Sequence, residues 1–120
     1  MNWLETPTLL RLEHYLDVLS FRQELISSNM ANVDTPGYRT QDVNFGQEMR
    51  NAEARLVDSP VSPNARRVRG LMERPDGNNV SLDRESLALA RTQLQYRAGV
   101  ELLRNELHTL QSAINEGKQS

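Results

Sequence analysis

The chain has no cysteine among its 120 residues, which removes disulfides, thiolate metal sites and cysteine nucleophiles from consideration. That absence suits a reducing or an oxidising compartment equally. Aromatic residues make up 5% and hydrophobic residues 38%, both low for a globule that must offset its conformational entropy. Charge of one sign is also lacking. The 14 Lys and Arg against 16 Asp and Glu leave a formal net charge of −2, unlike the strong positive excess of a general nucleic-acid binder. Long apolar runs are missing too: charged residues interrupt each one well short of the roughly 18 residues of a membrane span, so no direct membrane insertion is expected. Met1-Asn2-Trp3-Leu4-Glu5 lacks the basic region and apolar core of a cleavable signal peptide. Such a composition suits a chain that is mostly helix or that folds on a partner's surface.

What is present is helical periodicity at both ends. Thr6-Pro7 supplies an N-cap followed by proline at the first helical position, where the missing N–H costs nothing. Leu9, Leu12, Leu16, Leu19, Ile26 and Met30 then recur three and four apart, with Gln23 as the one polar slot. The helix should stop near Asn32, because Thr35-Pro36-Gly37 cannot continue it. A second helix is expected from Ser81 as N-cap, with Asp83 and Glu85 in its positive first turn. Its seam runs through Leu82, Leu89, Tyr96, Val100, Leu103, Leu107, Leu110 and Ile114, interrupted by Ser86 and Gln93. A weaker stripe of Leu87, Ala90, Leu94 and Ala98 lies beside it, so this half can face two neighbours. Gly117 is the expected stop. Gln23 and Gln93 are candidates for polar layers that set register.

The expected fold is mainly α: two long terminal helices pairing as a coiled-coil-like unit around an irregular, partly disordered middle. The divisions are an N-terminal helix in 1–34, a turn and extended segment in 35–49, a flexible middle in 50–79 and a C-terminal helix in 80–120. Residues 35–49 space a few apolar groups (Tyr38, Val43, Phe45, Met49) among turn formers. A short helix over Gln47–Leu56 fits the pattern, and Val68–Met72 is the stretch with strand character. Arg66, Arg67, Arg69 and Arg74 cluster in the middle. Such a patch is usually solvated, and if it has a partner, an acidic surface fits better than DNA. Two helices alone cannot bury a full seam on both sides, so stability is expected to come from other chains.

Chemistry is hard to find. His14 and His108 are the only histidines, one on each helix, and read as solvent or interface residues, with His14 and Asp17 as a local surface pair. Asp34, Asp42 and Asp76-Gly77 sit at turns, where aspartate satisfies backbone N–H groups. No phosphate loop, nucleophile elbow or calcium loop occurs, so no catalytic, metal or cofactor residues are assigned and no enzyme is expected.

One stretch stands above these signals: Ser28-Asn29-Met30-Ala31-Asn32-Val33-Asp34-Thr35-Pro36-Gly37-Tyr38-Arg39. Ala31 permits close helix approach, Asn29 and Asn32 can bond backbone groups, Pro36 and Gly37 force the turn, and Tyr38 inserts a ring with a polar tip. It resembles the signature of flagellar rod and hook proteins, carried here by Asn29, Ala31, Asn32, Thr35, Pro36, Gly37, Tyr38 and Arg39. Arg39–Phe45, Asn78–Glu85 and Leu94-Gln95-Tyr96 extend the likeness toward the proximal rod members of that family. Ser81 departs from an aspartate expected there, and both residues are good N-caps.

The resemblance implies a structural subunit of the bacterial flagellar proximal rod, on the periplasmic side of the basal body. It implies synthesis in the cytoplasm and export by the flagellar type III apparatus without signal cleavage. The partners implied are copies of itself, other rod proteins, the inner-membrane ring or its rod adaptor, and the export gate. Phe45 and Met49, four residues apart, form a candidate export-gate motif, although packing of Phe45 in the core explains it equally well. The alternatives are another rod component or a cytoplasmic helical adaptor or export chaperone.

Overall fold

The computed structural model describes residues 6–55 and 63–119. Along the chain come α1 (Pro7–Ala31), β1 (Gln41–Val43), α2 (Phe45–Arg55), β2 (Ala65–Arg67) and α3 (Leu82–Gln119). Local chemistry sets most of these bounds. The Thr6 hydroxyl accepts from the Leu9 N–H at 3.2 Å, capping α1 directly before Pro7. Asn44 caps α2, its side-chain oxygen 3.1 Å from the Gln47 N–H. Ser81 does the same for α3, accepting from the Arg84 N–H at 3.3 Å. At the far end α3 runs through Gly117 to Gln119 rather than stopping at the glycine.

The helices α1 and α3 pair antiparallel, with Asn29 across from Glu85 and Leu16 across from Gly99. With 25 and 38 residues they are unequal. That register carries α3 about ten residues, roughly 15 Å, beyond the level of Pro7. The molecule measures 71 × 25 × 18 Å.

On the other side of α1 lies a small core of Val18, Leu25 and Val43, closed by Phe21, Phe45 and Met49. Tyr15 meets Phe45 edge-on with ring centroids 5.3 Å apart, and the Arg22 guanidinium stands 5.6 Å from the same ring. β1 and β2 form a two-stranded antiparallel sheet with Gln41 opposite Arg67 and Val43 opposite Ala65. Strand character therefore falls before Val68, which only extends the pairing through its N–H to the Thr40 carbonyl. The expected disorder of the middle concerns, at 56–62, residues outside the described ones. The helix foreseen over Gln47–Leu56 begins two residues earlier, at Phe45.

Burial separates the histidines. His108 is exposed, whereas His14 is buried on α1 and Asp17 is exposed, so the two do not form the surface pair anticipated for them. The Nδ1 atom of His14 has no hydrogen-bond partner among the described residues.

Candidate assembly site

The end of α1 is built around Asn29, a side chain only 1% exposed. Its amide nitrogen donates to the Gln41 carbonyl at 2.9 Å and to a Glu85 carboxyl oxygen at 3.1 Å. Its oxygen accepts from the Gln41 N–H at 3.1 Å and from the Tyr38 hydroxyl at 3.0 Å. That uses the full donor and acceptor capacity of an asparagine side chain. One residue thereby ties α1 to β1, to the turn and to α3. Tyr38 also lies 3.2 Å from the Ser28 hydroxyl, which fixes the ring against the helix it has just left.

Asn32, Thr35 and Gly37 are held by a second polar cluster from the far side of the chain. Asn32 donates from its side chain to the Ser28 carbonyl at 2.8 Å, and Thr35 donates to Asn32 Oδ1 at 3.0 Å. Asn78, fully buried, donates to the carbonyls of Asn32 at 2.9 Å and Thr35 at 2.8 Å. Its own oxygen accepts from the Val80 N–H at 2.8 Å. Asn79 Oδ1 accepts from the Thr40 N–H at 2.7 Å. Arg74 reaches the Val33 carbonyl. Gly37 and Gly77 both have positive φ, at 77° and 87°. A Cβ on Gly77 would stand 3.4 Å from the Gly37 Cα, so the two loops touch backbone to backbone. Pro36 and Ala31 are exposed, and Arg39 pairs with Glu73 at 2.8 Å. The signature residues thus run from the last turn of α1 into the turn that follows it, and the polar ones bond to their own chain.

A line of charge joins this turn to α3. Arg22 bonds Asp42 at 3.1 Å, Asp42 lies 3.8 Å from Arg84, and Arg84 bonds Glu85 at 2.7 Å. Glu85 is 1% exposed yet fully paired between Arg84 and Asn29. Its position in the first turn was visible in the sequence, but its burial was not. The only available signal was the four-residue run Leu82–Glu85 at the helix start, which reads equally well as a solvated cap.

The seam residues fall into groups. On α1, Leu9, Leu19 and Ile26 are buried, and Leu12, Leu16 and Met30 are half-buried. On α3, Leu89, Val100, Leu103, Leu110 and Ile114 are half-buried, whereas Tyr96 and Leu107 are exposed. The positions of α3 most buried against the rest of the fold are Glu85, Thr92 and Gly99, a seven-residue series displaced from the leucine seam. A Cβ at Gly99 would lie 2.8 Å from Leu16 Cδ2 and 3.0 Å from Tyr15 Cε1, so glycine sets the helix separation there. Leu87 and Leu94 sit roughly opposite that series, 61% and 70% exposed, with Leu102 exposed further along. Gln23 and Gln93 are both exposed. Phe45 and Met49 are half-buried in the core described above.

Among the described residues no cluster of His, Cys, Asp and Glu could hold a metal, and no helix is long and apolar enough to cross a membrane. An elongated hairpin that spends its polar groups on fixing its own turn, and keeps leucines in solvent along its longest helix, has the build of a structural packing subunit. Residues 18–39, which hold the Asn29 turn, match the family model for flagella basal body rod protein. The flagellar basal body rod protein FlgB of Bacillus subtilis (strain 168) is 33% identical over 127 residues, covering 96% of this chain and 98% of that protein. The FlgB proteins of Salmonella typhimurium and Escherichia coli K12 are 29% and 27% identical, each over 85% of this chain and 88% of their own length. The chain belongs to the flagellar basal body rod protein family, whose members bear the name of a structural component of the flagellar rod.

Proposed function

We propose that this chain is a subunit of the proximal rod, exported through the flagellar type III apparatus without cleavage and polymerised through its terminal helices into part of the motor's drive shaft. Its place is then the periplasmic side of the basal body. Its neighbours are copies of itself, other rod proteins and the inner-membrane ring or its adaptor. The observation that carries the reading is the exposure of Leu87 and Leu94 on the side of α3 turned away from Glu85, Thr92 and Gly99, with Leu102 exposed further along the helix. Apolar side chains in a heptad-like row need a partner helix, and α1 is already engaged on the other side. The half-buried seam from Leu89 to Ile114, together with Tyr96 and Leu107, adds a flank for a second neighbour. Contacts of this kind repeat head to tail without closing, which produces a tube rather than a discrete oligomer.

The test replaces Leu87 and Leu94 with glutamate. Both are exposed, so the isolated chain should keep its helicity and its stability to within about 0.5 kcal/mol. The variant should nevertheless be missing from purified basal bodies of cells in which it is the sole copy. Rods containing the variant at the wild-type level would overturn the reading.

A further inference from the structure

Arg66, Arg67 and Arg69 are exposed and make no ion pair or side-chain hydrogen bond among the described residues. With Arg84 they line an open trough of about 580 Å³ over β1 and β2. The acids along this surface are already committed: Asp42 is bonded by Arg22 at 3.1 Å, and Glu73 by Arg39 at 2.8 Å. The trough therefore presents a local positive surplus on a chain whose formal net charge is −2.

The matching surplus of negative charge lies on α1. Glu13, Asp17 and Glu24 follow one another at helical spacing along its exposed side, and none has an ion pair among the described residues. This row spans about 16 Å. The extended run from Arg66 to Arg69 covers about 10 Å of backbone, and arginine side chains extend its reach. Within one molecule the two surfaces cannot meet. The side of α1 carrying Asn29, Val18 and Leu25 faces β1 and the core, which leaves the acidic row turned to solvent.

We propose that the arginine trough of one subunit receives the acidic row of α1 from a second copy of this chain. Met72, 92% exposed and three residues beyond Arg69, supplies an apolar contact beside the trough. The contact joins different surfaces on the two copies, so it propagates rather than closes. It rests on the rod-assembly reading and adds to it a charge register that the leucine stripe of α3 does not provide. An anionic lipid surface is the less fitting occupant, because the trough's wall carries Asp42 and the exposed acids of the same chain already supply a complement.

The absence of cysteine permits a direct test on the full chain. A chain carrying both Asp17→Cys and Arg67→Cys should give a ladder of disulfide-linked multimers on oxidation at assembling concentrations, while each single variant stops at dimers. In parallel, Arg66→Glu/Arg67→Glu/Arg69→Glu and Glu13→Lys/Asp17→Lys/Glu24→Lys should each raise the concentration at which the chain assembles by about tenfold or more, an effect weakened by salt. Combining both sets of reversals in one chain should restore assembly. Absence of the ladder, or assembly by both reversed variants at the wild-type concentration, overturns the trough contact. If the leucine-stripe variants then still fail to enter rods, the rod reading stands without it. A wild-type chain absent from rods overturns both. Binding of the wild-type chain, but not the Arg66→Glu/Arg67→Glu/Arg69→Glu variant, to phosphatidylglycerol vesicles, with assembly unchanged, assigns the trough to lipid instead.

Discussion

Asn29, near the end of the first helix, donates its side-chain amide to the buried carboxyl of Glu85, in the first turn of the last helix, at 3.1 Å. This bond joins residues 56 positions apart and sits where the family signature meets the start of α3. The signature is therefore a clasp between the two long helices as well as a helix stop.

Replacing Asn29 with alanine removes that bond and leaves the Gln41 backbone groups and the Tyr38 hydroxyl without their partner. The expected loss is roughly 2–4 kcal/mol, read as a lower urea midpoint for the isolated chain. A change below about 0.5 kcal/mol would mean that water replaces the amide freely.

Asn78→Ala acts on the opposite side of the same turn. It frees the carbonyls of Asn32 and Thr35 and the N–H of Val80, all served by one buried side chain. The expected cost is about 2–3 kcal/mol. Amide exchange at Gly37 and Val80 should accelerate while exchange in the middle of α1 stays slow.

At Gly99 two effects oppose each other. Alanine gains close to 1 kcal/mol of helix propensity over glycine. Its Cβ would press on Leu16 Cδ2, which can move, and on the Tyr15 ring, which Phe45 holds edge-on. Gly99→Ala should therefore change stability by less than about 1 kcal/mol, whereas Gly99→Leu should cost about 1–3 kcal/mol by overpacking. Equal thermal midpoints for the two variants would contradict the close contact.

Phe45 and Met49 can be tested for export separately from packing. Tyr15→Ala removes the same ring contact as Phe45→Ala but leaves the Phe45–Met49 pair in the sequence. If the pair engages the export gate, Phe45→Ala should reduce secretion severalfold while Tyr15→Ala is secreted normally. Equal secretion of the two variants would reduce Phe45 to a packing residue.

Gln23→Leu and Gln93→Leu should leave the isolated chain's stability within about 0.5 kcal/mol, because both side chains face solvent. In assembled rods the double variant should give less uniform lattices in electron micrographs. Unaltered lattices would end the idea that these glutamines set register.

Much of this fold was legible because its boundaries are written in local chemistry. Thr6-Pro7, the Asn32-to-Gly37 stop and Ser81 each act within a few residues, and the helices begin or end where those residues direct. The seam was harder. Leucine periodicity marks a helix with an apolar face, but does not say which flank meets the partner. Here glycine, threonine and glutamate occupy the tightest line of α3, while Leu87 and Leu94 on its opposite side point outward. Close approach favours small side chains, which a hydrophobicity pattern overlooks. The pairing of β1 with β2 and the burial of Asn78 depend on contacts between distant segments, for which the sequence offers no period at all.

Folding places Phe45 among Tyr15, Arg22, Val18 and Val43, half hidden from solvent. A receptor that grips this ring must do so before the core closes, since one ring cannot occupy both places. If Phe45 is the handle that an export gate grips, packing works as a latch: the chain would be legible to that carrier only while unfolded, and reaching its shape on the far side would withdraw the handle by which it could be pulled back.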